Sequence, residues 1–131
     1  MKYPIAIHKD IDSCYGVTVP DVPGCFSAGE TLDEAMNNVQ EAISAHLEIL
    51  AEDGELAPKP SVVDVHLHNQ EYAGATWAYV DIDVSAFLGK SEKATVTLPK
   101  LLITKIDALV AAGGAKNRSS FLADSALKSL R

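Results

Sequence analysis

Alternation opens the chain. Tyr3, Ile5 and Ile7 take one parity while Pro4, Ala6 and His8 take the other, which predicts a strand over Tyr3–Lys9. Asp10-Ile11-Asp12-Ser13 has turn chemistry, and Cys14–Val19 reads as a second strand, completing a hairpin. Pro20-Asp21-Val22-Pro23-Gly24 is a bend: two prolines remove donors, and Gly24 tolerates positive φ. A short third strand is expected at Cys25–Ala28. The period then changes. Leu32, Ala35, Met36, Val39, Ile43, His46, Leu47 and Leu50 recur at helical spacing. Thr31-Leu32-Asp33-Glu34 is a capping box ahead of that stripe, and Gly54 follows it. The spacing predicts one long helix over 32–52. Val63, Val65 and Leu67 alternate weakly after Pro58-Lys59-Pro60, leaving 61–69 open between strand and helix. Thr76–Val84 is a clear strand. These elements predict a small α+β layer, an antiparallel-rich sheet with one long helix on a face.

The pattern changes again after Leu88-Gly89. Lys93–Leu98 alternates briefly, and Pro99 stands where a helix can begin. Leu102, Ile103, Ile106, Leu109 and Val110 form a second helical stripe, ended by Gly113-Gly114. Asn117 is an expected N-cap for a third helix carrying Phe121, Leu122, Ala126, Leu127 and Leu130. Domains are therefore expected at 1–88 and 89–131.

Charge sharpens this division. Residues 1–89 hold three basic and 15 acidic side chains, a net of −12; residues 90–131 hold eight basic and three acidic, a net of +5; together they give −7. An acidic body favours a basic partner and repels nucleic acid, whereas a basic tail favours a polyanion. The apolar fraction of 47% is ordinary for a folded protein. No apolar run approaches the roughly 20 residues that span a bilayer, and the start lacks a secretory apolar region, so a cytoplasmic location is expected. Cys14 and Cys25 lie in no CxxC motif and are expected as two buried free thiols.

A tail of some 40 residues with one strand cannot bury a core alone. Its economical solution is a two-fold dimer in which two strands pair antiparallel above four helices. Ala94, Val96 and Leu98 would face inward; Lys93, Thr95 and Thr97 would face out, on a ribbon that fits the DNA major groove. Lys116, Asn117, Arg118, Ser119 and Ser120 surround the start of the third helix, where backbone N–H groups favour phosphate.

The stretches KATVTLPKLLITKID and GGAKNRSSFLADSALKSL resemble the ribbon-helix-helix family of bacterial repressors. That resemblance implies base contacts from Lys93, Thr95 and Thr97 and a phosphate clamp at Arg118 and Ser119. The body has a second resemblance. Tyr3-Pro4-Ile5, the Pro20–Phe26 bend, the Ala28–Ala35 approach to the helix and the Trp77–Asp83 strand look like the HicB antitoxin family. It implies a truncated RNase H-like body that occludes HicA, a small basic mRNA-cleaving toxin, and a tail that represses its own operon. Homodimers are expected through the tail, and tetramers or higher if the bodies associate. In that family 61–69 is often a short helix, against the alternation.

The acids expected at the toxin surface are Asp10, Asp12, Asp21, Glu30, Glu41 and Glu48. Several carboxylates would have to converge for metal-assisted RNA cleavage, and Asp10, Asp12, Asp81 and Asp83 lack a helix-borne companion. His66 and His68 share a parity but have no third ligand at useful spacing. The expectation is no catalytic residue, no metal and no cofactor. The competing reading is a stand-alone ribbon-helix-helix repressor whose acidic domain senses a small molecule.

Overall fold

The computed structural model describes residues 1–131, which divide into two compact units, Met1–Gly89 and Lys90–Arg131. In the first, strands β1 (Lys2–Lys9), β2 (Tyr15–Thr18), β3 (Phe26–Gly29) and β4 (Thr76–Asp81) form one antiparallel sheet in the order β3-β2-β1-β4. The helix α1 (Leu32–Glu52) lies between β3 and β4 in sequence. β1 and β2 join through a turn in which the Ser13 hydroxyl accepts from the Asp10 N–H and donates to the Asp10 carbonyl.

One face of the sheet meets α1. Tyr3, Ile5, Ile7, Val17 and Val80 close against Ala35, Val39, Ile43 and Leu47 in a single apolar core. The Thr31 hydroxyl accepts from the Glu34 N–H at 3.1 Å, which starts the helix at the expected residue. At its other end the Gly54 N–H reaches the Ala51 carbonyl and the Glu55 N–H the Leu50 carbonyl, with Gly54 at φ +77°. That pair of bonds satisfies the last carbonyls and needs a residue tolerant of positive φ.

The opposite sheet face is covered as well, because Pro4 and Ala6 are as buried as their inward neighbours. Ala6 lies opposite Trp77 and Pro4 opposite Tyr79. His66 stacks on the Trp77 ring, Tyr72 meets both rings edge-on, and the Tyr79 hydroxyl accepts from the Val63 N–H. Residues 61–72 thus form an outer cover of short 3₁₀ turns, Val63–Val65 and Gln70–Tyr72. The alternation of Val63, Val65 and Leu67 is therefore not a strand.

Two further expectations are corrected. β4 ends at Asp81 rather than Val84, because the Asp83 carboxylate accepts from the Ser85 N–H and hydroxyl and turns the chain into a 3₁₀ segment, Val84–Phe87. Both cysteines are free, but only Cys25 is buried; Cys14 is exposed beside the hairpin turn. Burial raises the Cys25 thiol above its ordinary value.

The second unit holds α2 (Lys100–Ala111) and α3 (Arg118–Leu130). α2 ends as α1 does, with Gly113 at φ +84° and the Gly114 N–H on the Leu109 carbonyl. Residues 90–99 carry no secondary structure in the single chain. An alternating segment becomes a strand only when a neighbour satisfies its backbone groups, and the tail contains no second strand.

Candidate functional site

In the second unit, Asn117 caps α3: its side-chain oxygen accepts from the Ser120 N–H at 2.8 Å. The cap takes one of the four free N–H groups of the first turn; those of Arg118 and Ser119 precede it. The Arg118 side chain is already engaged. Its Nε and Nη2 donate to the two Asp107 oxygens at 2.9 and 2.8 Å. That bidentate bond lowers the Asp107 carboxyl and raises the Arg118 guanidinium. The pair ties the end of α2 to the start of α3, and the sequence reading assigned Arg118 no such partner.

Lys93, Thr95 and Thr97 are exposed, and so are Lys116, Asn117 and Ser119. Thr95, Val96 and Leu98 line a cavity of about 280 Å³ together with Ile103, Ser119 and Leu122. Of the expected DNA residues, Thr95, Arg118 and Ser119 line this cavity. Ile106 is the one large side chain of this unit that the single chain buries; Val96 is 62% and Leu101 70% exposed.

In the first unit, Asp10, Asp12, Glu30, Glu41 and Glu48 are exposed, as a charged contact surface requires. Asp21 differs. Its carboxylate accepts from the Ser61 N–H at 2.7 Å and from the Ser61 hydroxyl at 2.7 and 3.0 Å, and lies 3.5 Å from His66 Nε2. With its side chain 11% exposed, Asp21 fastens the outer cover to the bend.

Serine, histidine and aspartate together invite comparison with a nucleophile triad, but the order of the bonds is wrong. The single Ser61 proton is directed to Asp21, so His66 Nε2 must donate to Ser61 Oγ, 2.7 Å away. Such an imidazole cannot take the serine proton. The cluster is a clasp. Tyr72, beside it, has its phenol raised by burial and then by the Glu71 and Asp21 charges. The sequence reading missed this cluster because its members lie 40 residues apart; the one local hint was a serine straight after Pro58-Lys59-Pro60.

Removing the Asp21 carboxylate leaves the Ser61 N–H unpaired in a half-buried site. Asp21→Ala should cost about 1–3 kcal/mol in urea unfolding followed by circular dichroism. Glu41→Ala, on the exposed helix face, should stay within about 0.5 kcal/mol of the parent.

The other acids weighed for chemistry are occupied or scattered. Asp81 faces the Met1 ammonium at 3.1 Å, while Asp83 holds Ser85, whose bonds lower the Asp83 carboxyl. Asp10 and Asp12 stay in the hairpin turn, and no group of three or more His, Cys, Asp or Glu side chains converges to hold a metal ion. His66 belongs to the clasp and His68 is exposed.

Comparison with known proteins places these surfaces in a family. An uncharacterized 14.9 kDa protein of Haemophilus phage HP1, from the rep-hol intergenic region, is 46% identical, covering 99% of this chain and 98% of that one. The crystal structure of the Burkholderia pseudomallei antitoxin HicB superposes with a TM-score of 0.80 at 48% identity, covering 100% of this chain and 99% of that chain. A chain of the HicA3 and HicB3 toxin-antitoxin complex matches 63% of this chain and 99% of its own length, with a TM-score of 0.52 and 32% identity. The model of the HicB-like antitoxins of bacterial toxin-antitoxin systems matches residues 3–126, and the chain belongs to that family.

Proposed function

We propose that the body binds and occludes a HicA-type mRNA-cleaving toxin in the cytoplasm, while the tail dimerises as a ribbon-helix-helix module, binds operator DNA and represses the chain's own operon. The observation that carries this reading is the match to a chain of a toxin-antitoxin complex, which spans 63% of this chain. The charge division supports the assignment of roles: a net of −12 over residues 1–89 suits a basic toxin, and +5 over residues 90–131 suits DNA. The β-β-β-α-β order of the body is consistent with a truncated RNase H-like domain. Exposure of Val96 and Leu101 supports a tail completed by a second copy, since so small a unit gains little by folding alone. Bodies that associate in turn would make tetramers and link two tail dimers on adjacent half-sites.

In this reading Lys93, Thr95 and Thr97 read the major groove, and Lys116 with the α3 start, Asn117 to Ser120, holds phosphate. Arg118, paired to Asp107, sets the α2–α3 turn and keeps its remaining donors toward the backbone.

The test is co-expression with a HicA-type toxin, then pull-down and light scattering, with operator binding measured in parallel. Lys93→Ala should weaken operator binding by about 1–3 kcal/mol, a factor of roughly 5 to 150, and leave toxin neutralisation intact. Equal loss of both would sink the two-module reading.

A further inference from the structure

The C-terminal end of α1 opens onto two grooves that flank the segment Glu55–Leu56. One, of about 650 Å³, is lined by Glu48, Glu52, Glu55, Leu56, Phe87 and Leu88 among others. The other, of about 350 Å³, shares Glu55 and Leu56 and adds His46, Ile49 and Leu50. Their walls are apolar and open to solvent: Ile49 is 58% exposed and Leu88 49%.

Three observations define the occupant. First, the polar side chains of the first groove are all carboxylates, and no Lys, Arg, Ser, Thr, Asn or Gln lines either groove. Second, the one imidazole has a nitrogen turned back to its own helix. His46 Nδ1 lies 3.0 Å from the Ala42 carbonyl, which can only accept, so Nδ1 donates there and only Nε2 is left for a partner. Third, the last turn of α1 holds no basic residue, so the negative end of a 21-residue helix lacks the cation that would stabilise it. The grooves thus offer carboxylates and apolar surface without a single Lys or Arg.

We propose that this double groove receives a basic segment of the toxin, with Lys or Arg stems lying on Ile49, Leu56 and Leu88 and their heads reaching Glu48, Glu52 and Glu55. Long basic side chains combine an apolar stem with a positive head, which complements apolar walls that carry carboxylates. The proposal rests on the reading that the body binds a HicA-type toxin. Of the acids expected at the toxin surface from sequence, only Glu48 lines either groove. Asp10 and Asp12 lie toward the other end of the helix, because the hairpin ends at Tyr15, Tyr15 faces Gly29, and Gly29 packs on the first turn of α1.

Toxin binding by the full-length chain, measured by calorimetry, tests it. Glu52→Lys/Glu55→Lys should weaken binding about 10-fold or more, and so should the uncharged Leu56→Ser/Leu88→Ser pair. Asp10→Lys/Asp12→Lys, with the same change in net charge, should stay within about twofold. Thermal midpoints confirm that each variant folds, which the exposure of these side chains favours. Parent-like affinity in both groove variants overturns the proposal, as does equal weakening by the hairpin variant, which would leave only net charge at work. A changed oligomeric state with unmoved toxin affinity assigns the grooves to a second copy and also overturns it. If the parent itself binds no toxin, the occlusion reading has failed, and that outcome is seen on the parent alone.

Discussion

Gly29→Val is expected to cost the body about 3 kcal/mol or more, a large share of the roughly 5–15 kcal/mol that holds a domain of this kind together. The cause is space, not backbone strain. A Cβ at position 29 would stand 2.4 Å from the Ala35 nitrogen and 2.9 Å from the Ala35 Cα. Both are backbone atoms of the first turn of α1, fixed by the Thr31 cap and by Ala35, which is fully buried. Neither can swing aside as the tip of a flexible side chain would. Relief requires α1 to lift off β3, and lifting it uncovers Val39 and Ile43. Urea unfolding of the full chain by circular dichroism reads the result. Gly54→Ala supplies the contrast: Gly54 has positive φ but open space around it, so about 1 kcal/mol is expected. A Gly29→Val midpoint equal to the parent's would show that β3 and α1 do not approach so closely.

Val96→Asp should abolish self-association through the tail and, with it, operator binding. In the single chain Val96 borders the opening lined by Ile103 and Leu122. In the proposed dimer it turns into the shared core, and two-fold symmetry places each substitution there twice. Burying an unpaired carboxylate costs several kcal/mol, so dimer affinity should fall by about a thousandfold. Sedimentation over a concentration series measures it, and an operator shift assay follows the consequence. Toxin binding by a single body should persist at high concentration. A Val96→Asp chain that still dimerises and still shifts operator DNA would refute the ribbon as the dimer element.

What the sequence disclosed follows from how local each determinant is. α1 was legible to the residue because its signals are adjacent: a threonine cap, an apolar stripe and a glycine stop lie within 24 residues. Asn117 was legible as a cap for the same reason. The end of β4 was not, since Asp83 and Ser85 continue an alternating pattern while their side chains bend the backbone away from it. Alternation at Val63–Leu67 misled because short 3₁₀ turns between prolines and the sheet leave those side chains partly exposed with no ladder to join. The role of Asp21 was beyond reach, because an acid in a proline-rich bend looks solvent-facing until a serine 40 residues later is brought to it. Arg118 looked like a free cation until the α2–α3 turn set Asp107 against it. Cys14 was misplaced inside the core because it was assigned to a strand that starts one residue later, at Tyr15.

The clasp over the outer sheet face has an optical consequence. Trp77 is the chain's one tryptophan, and its ring lies 5.8 Å from the His66 ring at 14° and 5.5 Å from Tyr72 at 77°. Indole emission responds to the groups packed against the ring. Intrinsic fluorescence of this protein therefore gauges neither the helical core nor the tail, but the seating of residues 61–72 on the sheet. A change in emission while the circular dichroism of α1 still reads as folded would signal that this layer has lifted, so the two signals together separate the loosening of one layer from the unfolding of the whole.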